Sequence, residues 1–166
     1  MSMIRVPVQF TLNGQSQAEF AESGSTLLKL LRDKLGFTAT KNGCEQGTCG
    51  ACTMLIDGRP QLSCLTLAER CGGKSVETLE GLSPDGSLHP LQEAFIEAFA
   101  TQCGFCTAGM IMAGKALLDR NPKPTRDEVI DAISGNICRC TGYEPIIQAI
   151  LDAADKIRGQ RKKKRA

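Results

Sequence analysis

The sequence predicts an α+β chain in which a small mixed β-sheet is followed by a helical unit. Three observations carry this. Residues 1–80 hold short stretches of alternating apolar and polar side chains, broken by Asn13-Gly14 and Asp57-Gly58. Beyond Leu88 the apolar residues recur at helical spacing. Eight of the nine cysteines fall into two groups of four, one group in each half.

In chain order, Val6, Val8, Phe10 and Leu12 alternate with polar residues and run into Asn13-Gly14. That pattern is a half-buried strand entering a hairpin turn, with Ser16–Phe20 as the return strand. Ser25 or Thr26 can cap a helix that places Leu27, Leu28, Leu31 and Leu35 on one face, and Gly36 ends it. Residues 40–52 are glycine-rich, too short for a helix, and hold three cysteines. Residues 53–63 read as a second hairpin about Asp57-Gly58. Leu65–Arg70 is expected to form one or two helical turns, and Ser75–Leu79 a last strand.

Residues 81–90 read as a linker with a turn at Ser83-Pro84-Asp85-Gly86, and His89 as a turn residue within it. Leu88, Leu91, Phe95, Ala98 and Phe99 then mark a first helix. Met110, Ala113, Gly114 and Leu117 mark a second, stopped by Asn121-Pro122-Lys123-Pro124. Thr125-Arg126-Asp127-Glu128 is a capping box for a third, whose buried face is Val129, Ile130 and Ile133. Glu144-Pro145 opens a fourth, with Ile146, Ile147, Ile150, Leu151, Ala154 and Ile157 as its stripe. The expected division is 1–80, a linker 81–90, a helical unit 91–158 and a basic tail 159–166.

A chain of 166 residues holds one medium domain or two small ones, and two small ones would each need a staple beyond their apolar core. Residues 1–8 lack the apolar core of a signal peptide, and no apolar run approaches a membrane span. The expectation is therefore a cytoplasmic protein, in which clustered cysteines bind metal or do redox work before they form structural disulfides. The net charge of +2 is uneven: residues 158–166 carry six cations and no acid, which leaves the body at −4. That run reads as a solvated tail, with an arm that docks on an acidic partner as the alternative; with no aromatic interleaved, a nucleic-acid surface is disfavoured.

Cys44, Cys49, Cys52 and Cys64 follow a C-x4-C-x2-C pattern with a distant fourth cysteine, the way plant-type ferredoxin spacing begins. Two irons bridged by two sulfides need two thiolates each. A loop containing Gly43, Gly47 and Gly50 can turn three cysteines inward while its N–H groups approach the sulfurs. Zinc sites favour two separate C-x2-C pairs, and this group has one. Cys103, Cys106, Cys138 and Cys140, as C-x2-C and C-x-C, are less specific, and zinc is a serious alternative there. Each of these two turns precedes a predicted helix, whose N-terminal N–H groups favour an anionic centre. Cys71 lies outside both groups and reads as an incidental or half-buried cysteine.

The runs GCEQGTCGACT (residues 43–53), QCGFCTAGM (102–110) and GNICRCTGY (135–143) resemble the small iron–sulfur subunit of the xanthine oxidase family of molybdenum hydroxylases. The resemblance covers residues 4 to about 157. It implies an N-terminal β-grasp (plant-type ferredoxin-like) domain, then a C-terminal four-helix [2Fe-2S]-binding domain. It implies two [2Fe-2S] clusters, and a large partner subunit holding a molybdenum–pterin cofactor. Gln102 would hydrogen-bond the pterin, and Cys140 would lie near it. Electrons would leave to a flavin (FAD) subunit or another acceptor, and no catalytic residue is expected in this chain. Ala108 stands where the family usually has proline, a difference of little consequence at a helix start. Three other readings stand beside this one: a free two-cluster ferredoxin, a zinc-stabilised interaction module, and the small subunit of a hydroxybenzoyl-CoA reductase-like enzyme, which the stretches around Cys44 and Pro122 also resemble. The substrate of the whole enzyme is not legible in this chain.

Overall fold

A computed structural model describes residues 4–163 of the chain, with side chains through residue 160. Strand β1 (Arg5–Leu12) pairs antiparallel with β2 (Gln15–Glu22), from Arg5 opposite Glu22 to Leu12 opposite Gln15. Asn13 and Gly14 both take positive φ, as a two-residue hairpin turn of matching twist requires. The return strand is longer at both ends than Ser16–Phe20 because the ladder runs the full length of β1. Alternation sets the faces: Val8, Phe10 and Leu12 are buried, while Arg5, Pro7 and Gln9 are exposed.

Strands β3 (Thr53–Ile56) and β4 (Arg59–Leu62) form the second hairpin, and β5 (Ser75–Glu77) completes the sheet in the order β2-β1-β5-β3-β4. β5 runs parallel to β1 and antiparallel to β3. It stops two residues short of Leu79. The Thr78 N–H donates instead to the Asn13 side-chain carbonyl at 2.8 Å, and Leu79–Leu82 turns away as a short 3-10 segment.

Thr26, rather than Ser25, caps helix α1 (Leu27–Lys29) by accepting the Lys29 N–H. The helix then widens over Leu30–Lys34 into a π-helical turn, where the Leu35 N–H donates to the Leu30 carbonyl five residues back. The wider turn brings Leu27, Leu30 and Leu31 into the sheet core and leaves Leu35 at its margin. Leu28 points elsewhere, against Cys52 and Cys64. The helical turns expected at Leu65–Arg70 form later, as a 3-10 turn at Ala68–Cys71, and Leu65 is exposed.

Four helices follow: α2 (Pro90–Glu97), α3 (Thr107–Arg120), α4 (Arg126–Ile133) and α5 (Glu144–Lys163). His89 is the N-cap of α2, its Nδ1 accepting the Leu91 N–H at 3.2 Å, and Pro90 already belongs to the helix. Three side chains expected inside are not. Leu88 precedes α2 and is exposed. Phe99 is 83% exposed with φ +51°, because the Ala100 N–H closes the end of α2 on the Phe95 carbonyl. Ile130 points outward from α4 at 40% exposure. The capping box of α4 forms as read, with Glu128 accepting the Thr125 N–H at 2.7 Å. The basic segment from residue 159 continues α5 through Lys163, and residues 164–166 lie outside the described part.

The two halves share β3. Met54 and Ile56 point into the sheet core, while Leu55 joins the helical core of Leu91, Phe95, Met110, Val129, Ile146 and Ile150. Strand β3 is therefore buried on both faces, with α3 packed across it. Each such side chain taken from water contributes about 1.5–3 kcal/mol.

Candidate metal centres

The first centre is built by one loop and one hairpin. Glu45, Gly47 and Gly50 take positive φ and curl residues 43–51 back on themselves. A Cβ on Gly43 would lie 2.9 Å from Cys49 Sγ and 3.3 Å from Phe105 Cε1, so only glycine allows the thiol to sit there. Cys52 enters β3 and Cys64 leaves β4, which brings these two together across the hairpin; both are buried. Cys44 and Cys49 are half-buried.

Loop donors converge on Cys44. The Thr48 hydroxyl and the N–H groups of Gln46 and Cys49 hold its thiol down to about 5. Burial and the neighbouring Cys44 push Cys49 up against the opposing Ala51 N–H. Burial, then the bond to Cys52, pushes Cys64 up to about 11.

The second centre is assembled by two turns separated by the α3–α4 hairpin. Cys140 Sγ lies 3.5 Å from Cys103 Sγ, and both residues are exposed. Cys106 and Cys138 are buried and hydrogen-bonded to each other. The Phe105 N–H and then Cys140 pull the Cys103 thiol down, whereas its bond to Cys103 pushes Cys140 up. Burial and the bond to Cys138 push Cys106 up to about 12. Burial opposes ionisation of Cys138 too, but the Thr141 hydroxyl at 3.1 Å and the Thr141 N–H at 3.5 Å outweigh it, and its thiol falls.

The donors differ from the expectation that helix ends would supply them. Cys106 stands at the N-cap position of α3 without a side-chain cap bond, and the bonds to Cys103 and Cys138 come from N–H groups inside the turns. Tyr143, at φ +70°, returns its hydroxyl to accept the Cys138 N–H at 3.0 Å and fixes the second turn.

All eight grouped cysteines are free thiols, and they meet as pairs: Cys44 with Cys49, Cys52 with Cys64, Cys103 with Cys140, Cys106 with Cys138. Among the described residues, no three His, Cys, Asp or Glu side chains are grouped as a single metal ion would need. Two-plus-two pairing suits a two-iron unit better than one tetrahedral zinc. Gln102 is exposed in the turn between α2 and α3, next to Cys103, and caps neither helix. Cys71 is not half-buried but fully enclosed in the sheet core, where burial raises its thiol.

Three residues that hold this geometry were not singled out by sequence reasoning: Thr48, Thr141 and Tyr143. Thr48 stands inside the run GCEQGTCGACT and the other two inside GNICRCTGY, and a polar side chain between clustered ligands is the signal that could have marked them.

A family model described as a 2Fe-2S iron–sulfur cluster binding domain matches residues 8–97, and one described as a [2Fe-2S] binding domain matches residues 78–151. The chain is 51% identical over 153 residues to the nicotine 6-hydroxylase small subunit of Paenarthrobacter nicotinovorans, covering 92% of each. It superposes on a chain of quinoline 2-oxidoreductase from Pseudomonas putida 86 with a TM-score of 0.90 and 49% identity, covering 93% of this chain and 97% of that one. It is also 43% identical to the aldehyde oxidoreductase of Megalodesulfovibrio gigas, where the match spans 91% of this chain and 17% of that longer protein. The fold and the cysteine groups thus define an α+β [2Fe-2S]-binding protein of the oxidoreductases. The chain belongs to the small iron–sulfur subunits of the xanthine oxidase family of molybdenum hydroxylases, and its role in such an enzyme is electron transfer. Among the described residues, no helix is long and apolar enough to cross a membrane.

Proposed function

We propose that the chain holds two [2Fe-2S] clusters and passes electrons between a large molybdenum-binding subunit and a flavin subunit or other acceptor. Cys44, Cys49, Cys52 and Cys64 would hold one cluster in a β-grasp domain of residues 1–80. Cys103, Cys106, Cys138 and Cys140 would hold the other in a four-helix domain of residues 91–158. Each cluster, when bound, takes up and releases one electron at a time. The observation that carries this reading is the pairing of thiols into two-plus-two sets, each set with turn or loop N–H groups aimed at its sulfurs.

The residues divide the work. In each centre one pair is buried and the other lies nearer solvent, so each offers one face to a redox partner. Cys103 and Cys140 are the more open pair, and Gln102 stands beside them with two amide donors and an acceptor. We assign Gln102 and Cys140 to the edge of the pterin, which makes the helical centre the entry and the Cys44 loop the exit. Clustered free thiols of this kind fit the reducing cytoplasm.

The experiment is metal analysis and EPR on the purified chain in its complex. About four irons and four acid-labile sulfides per chain are expected, with two distinct signals on reduction. Zinc with little iron would overturn the reading. Gln102→Ala is expected to keep both signals while slowing reduction by substrate; an unchanged rate would remove Gln102 from the pterin edge.

A further inference from the structure

The two cysteine groups are joined by buried polar contacts that run through backbone groups and one side-chain amide rather than from thiol to thiol. Asn136 is 5% exposed, and its Nδ2 donates to the Gly50 carbonyl at 2.8 Å and to Thr53 Oγ1 at 3.2 Å. The same carbonyl accepts the Thr53 hydroxyl at 2.7 Å and the Thr53 N–H at 3.0 Å. Next to both partners, the Ile137 N–H donates to the Cys49 carbonyl at 2.9 Å.

Two glycines permit this approach. A Cβ on Gly50 would stand 2.3 Å from the Gly135 carbonyl oxygen and 2.8 Å from Asn136 Cα. One on Gly109, at the start of α3, would stand 2.4 Å from the Gly50 oxygen and 2.9 Å from Asn136 Nδ2. Three segments therefore touch backbone to backbone where no other side chain fits. One amide nitrogen serves two acceptors across more than eighty residues of sequence.

The contact lies directly between the centres. From Cys49 the backbone crosses a single hydrogen bond to Ile137, and the next residue is Cys138. We propose that Asn136 is a positioning residue for electron passage between the two centres: its amide holds the Cys49 carbonyl on the Ile137 N–H, and so fixes the coupling of Cys49 to Cys138. This rests on the two-cluster reading above. An electron that crosses would oxidise the cluster held by one group by one unit and reduce the cluster held by the other by one, with no bond made or broken.

The test uses the full chain in its complex, with Asn136→Ala and, independently, Gly109→Ala as a wedge at the same contact. Iron content and both EPR signals are expected to persist. The splitting that arises when both reduced centres interact should weaken or vanish, and hydrogen exchange at the Ile137 N–H should rise about tenfold or more. A contact that merely fastens the halves would change stability and leave the splitting alone. Unchanged splitting in Asn136→Ala overturns the proposal, as does a wild-type protein whose two signals do not interact. If Asn136→Ala fails to assemble, Gly109→Ala and Thr53→Val decide by the same splitting. A wild-type protein with fewer than two clusters would instead refute the two-cluster reading.

Discussion

The two cysteine groups reach similar chemistry by different routes. The first takes three thiols from nine consecutive residues and the fourth from the end of the adjoining hairpin. Its geometry is written mostly in loop conformation, through left-handed residues and N–H groups directed at Cys44. The second draws on two turns more than thirty residues apart, so helix packing must bring Cys103 to Cys140 and Cys106 to Cys138. A local site depends on its own turn residues, whereas a non-local site inherits the stability of the core beneath it.

The largest test of that contrast removes one buried thiol from each group. Cys52→Ser and Cys106→Ser should each lower iron from about four to about two per chain, with loss of a different EPR signal. Because metal binding contributes to folding, each variant should also melt earlier. Cys106→Ser should lose more, since its centre ties together turns separated by α3 and α4. Equal melting losses would break the comparison.

A second test sharpens it through thiol ionisation in the metal-free chain. Cys44, held to about 5 by Thr48 and loop N–H groups, should be a thiolate at neutral pH, and Cys106, pushed up to about 12, a thiol. Alkylation followed by mass spectrometry should label Cys44 first, with a pH profile centred near 5, and Cys106 last. The linkage has a definite sign. A folded pKa below the unfolded value makes the Cys44 contribution to stability present above about pH 8.5 and lost as pH falls toward 5. Labelling of Cys44 that begins only near pH 8 would show that the loop donors do not hold its thiol down.

The smallest effect is expected at Cys71, the thiol in neither group. Cys71→Ser should leave iron content and both signals unchanged, because four other cysteines serve each centre. It should cost about 1–3 kcal/mol in stability, since a hydroxyl replaces a thiol in a fully buried apolar site. Loss of either signal would show that the thiols are grouped wrongly.

Much of this protein was legible in its sequence because the signals are local. The Asn13-Gly14 and Asp57-Gly58 turns, the Thr125–Glu128 capping box and the Pro145 helix start each depend on residues within a few positions of one another. The three motif runs were enough to name the family. Tertiary structure decided the rest. Phe99 and Leu88 had helical spacing, but the close of α2 on Phe95 and its start at Pro90 put them outside. Leu55 sits in an apolar run whose period cannot tell one buried face from two, and only the packing of α3 assigns it to the helical core. Asn136, two residues before Cys138, has no local signal that marks its partners. Its partners, Gly50 and Thr53, lie more than eighty residues earlier, and a contact at that distance exists only once both halves have folded against each other.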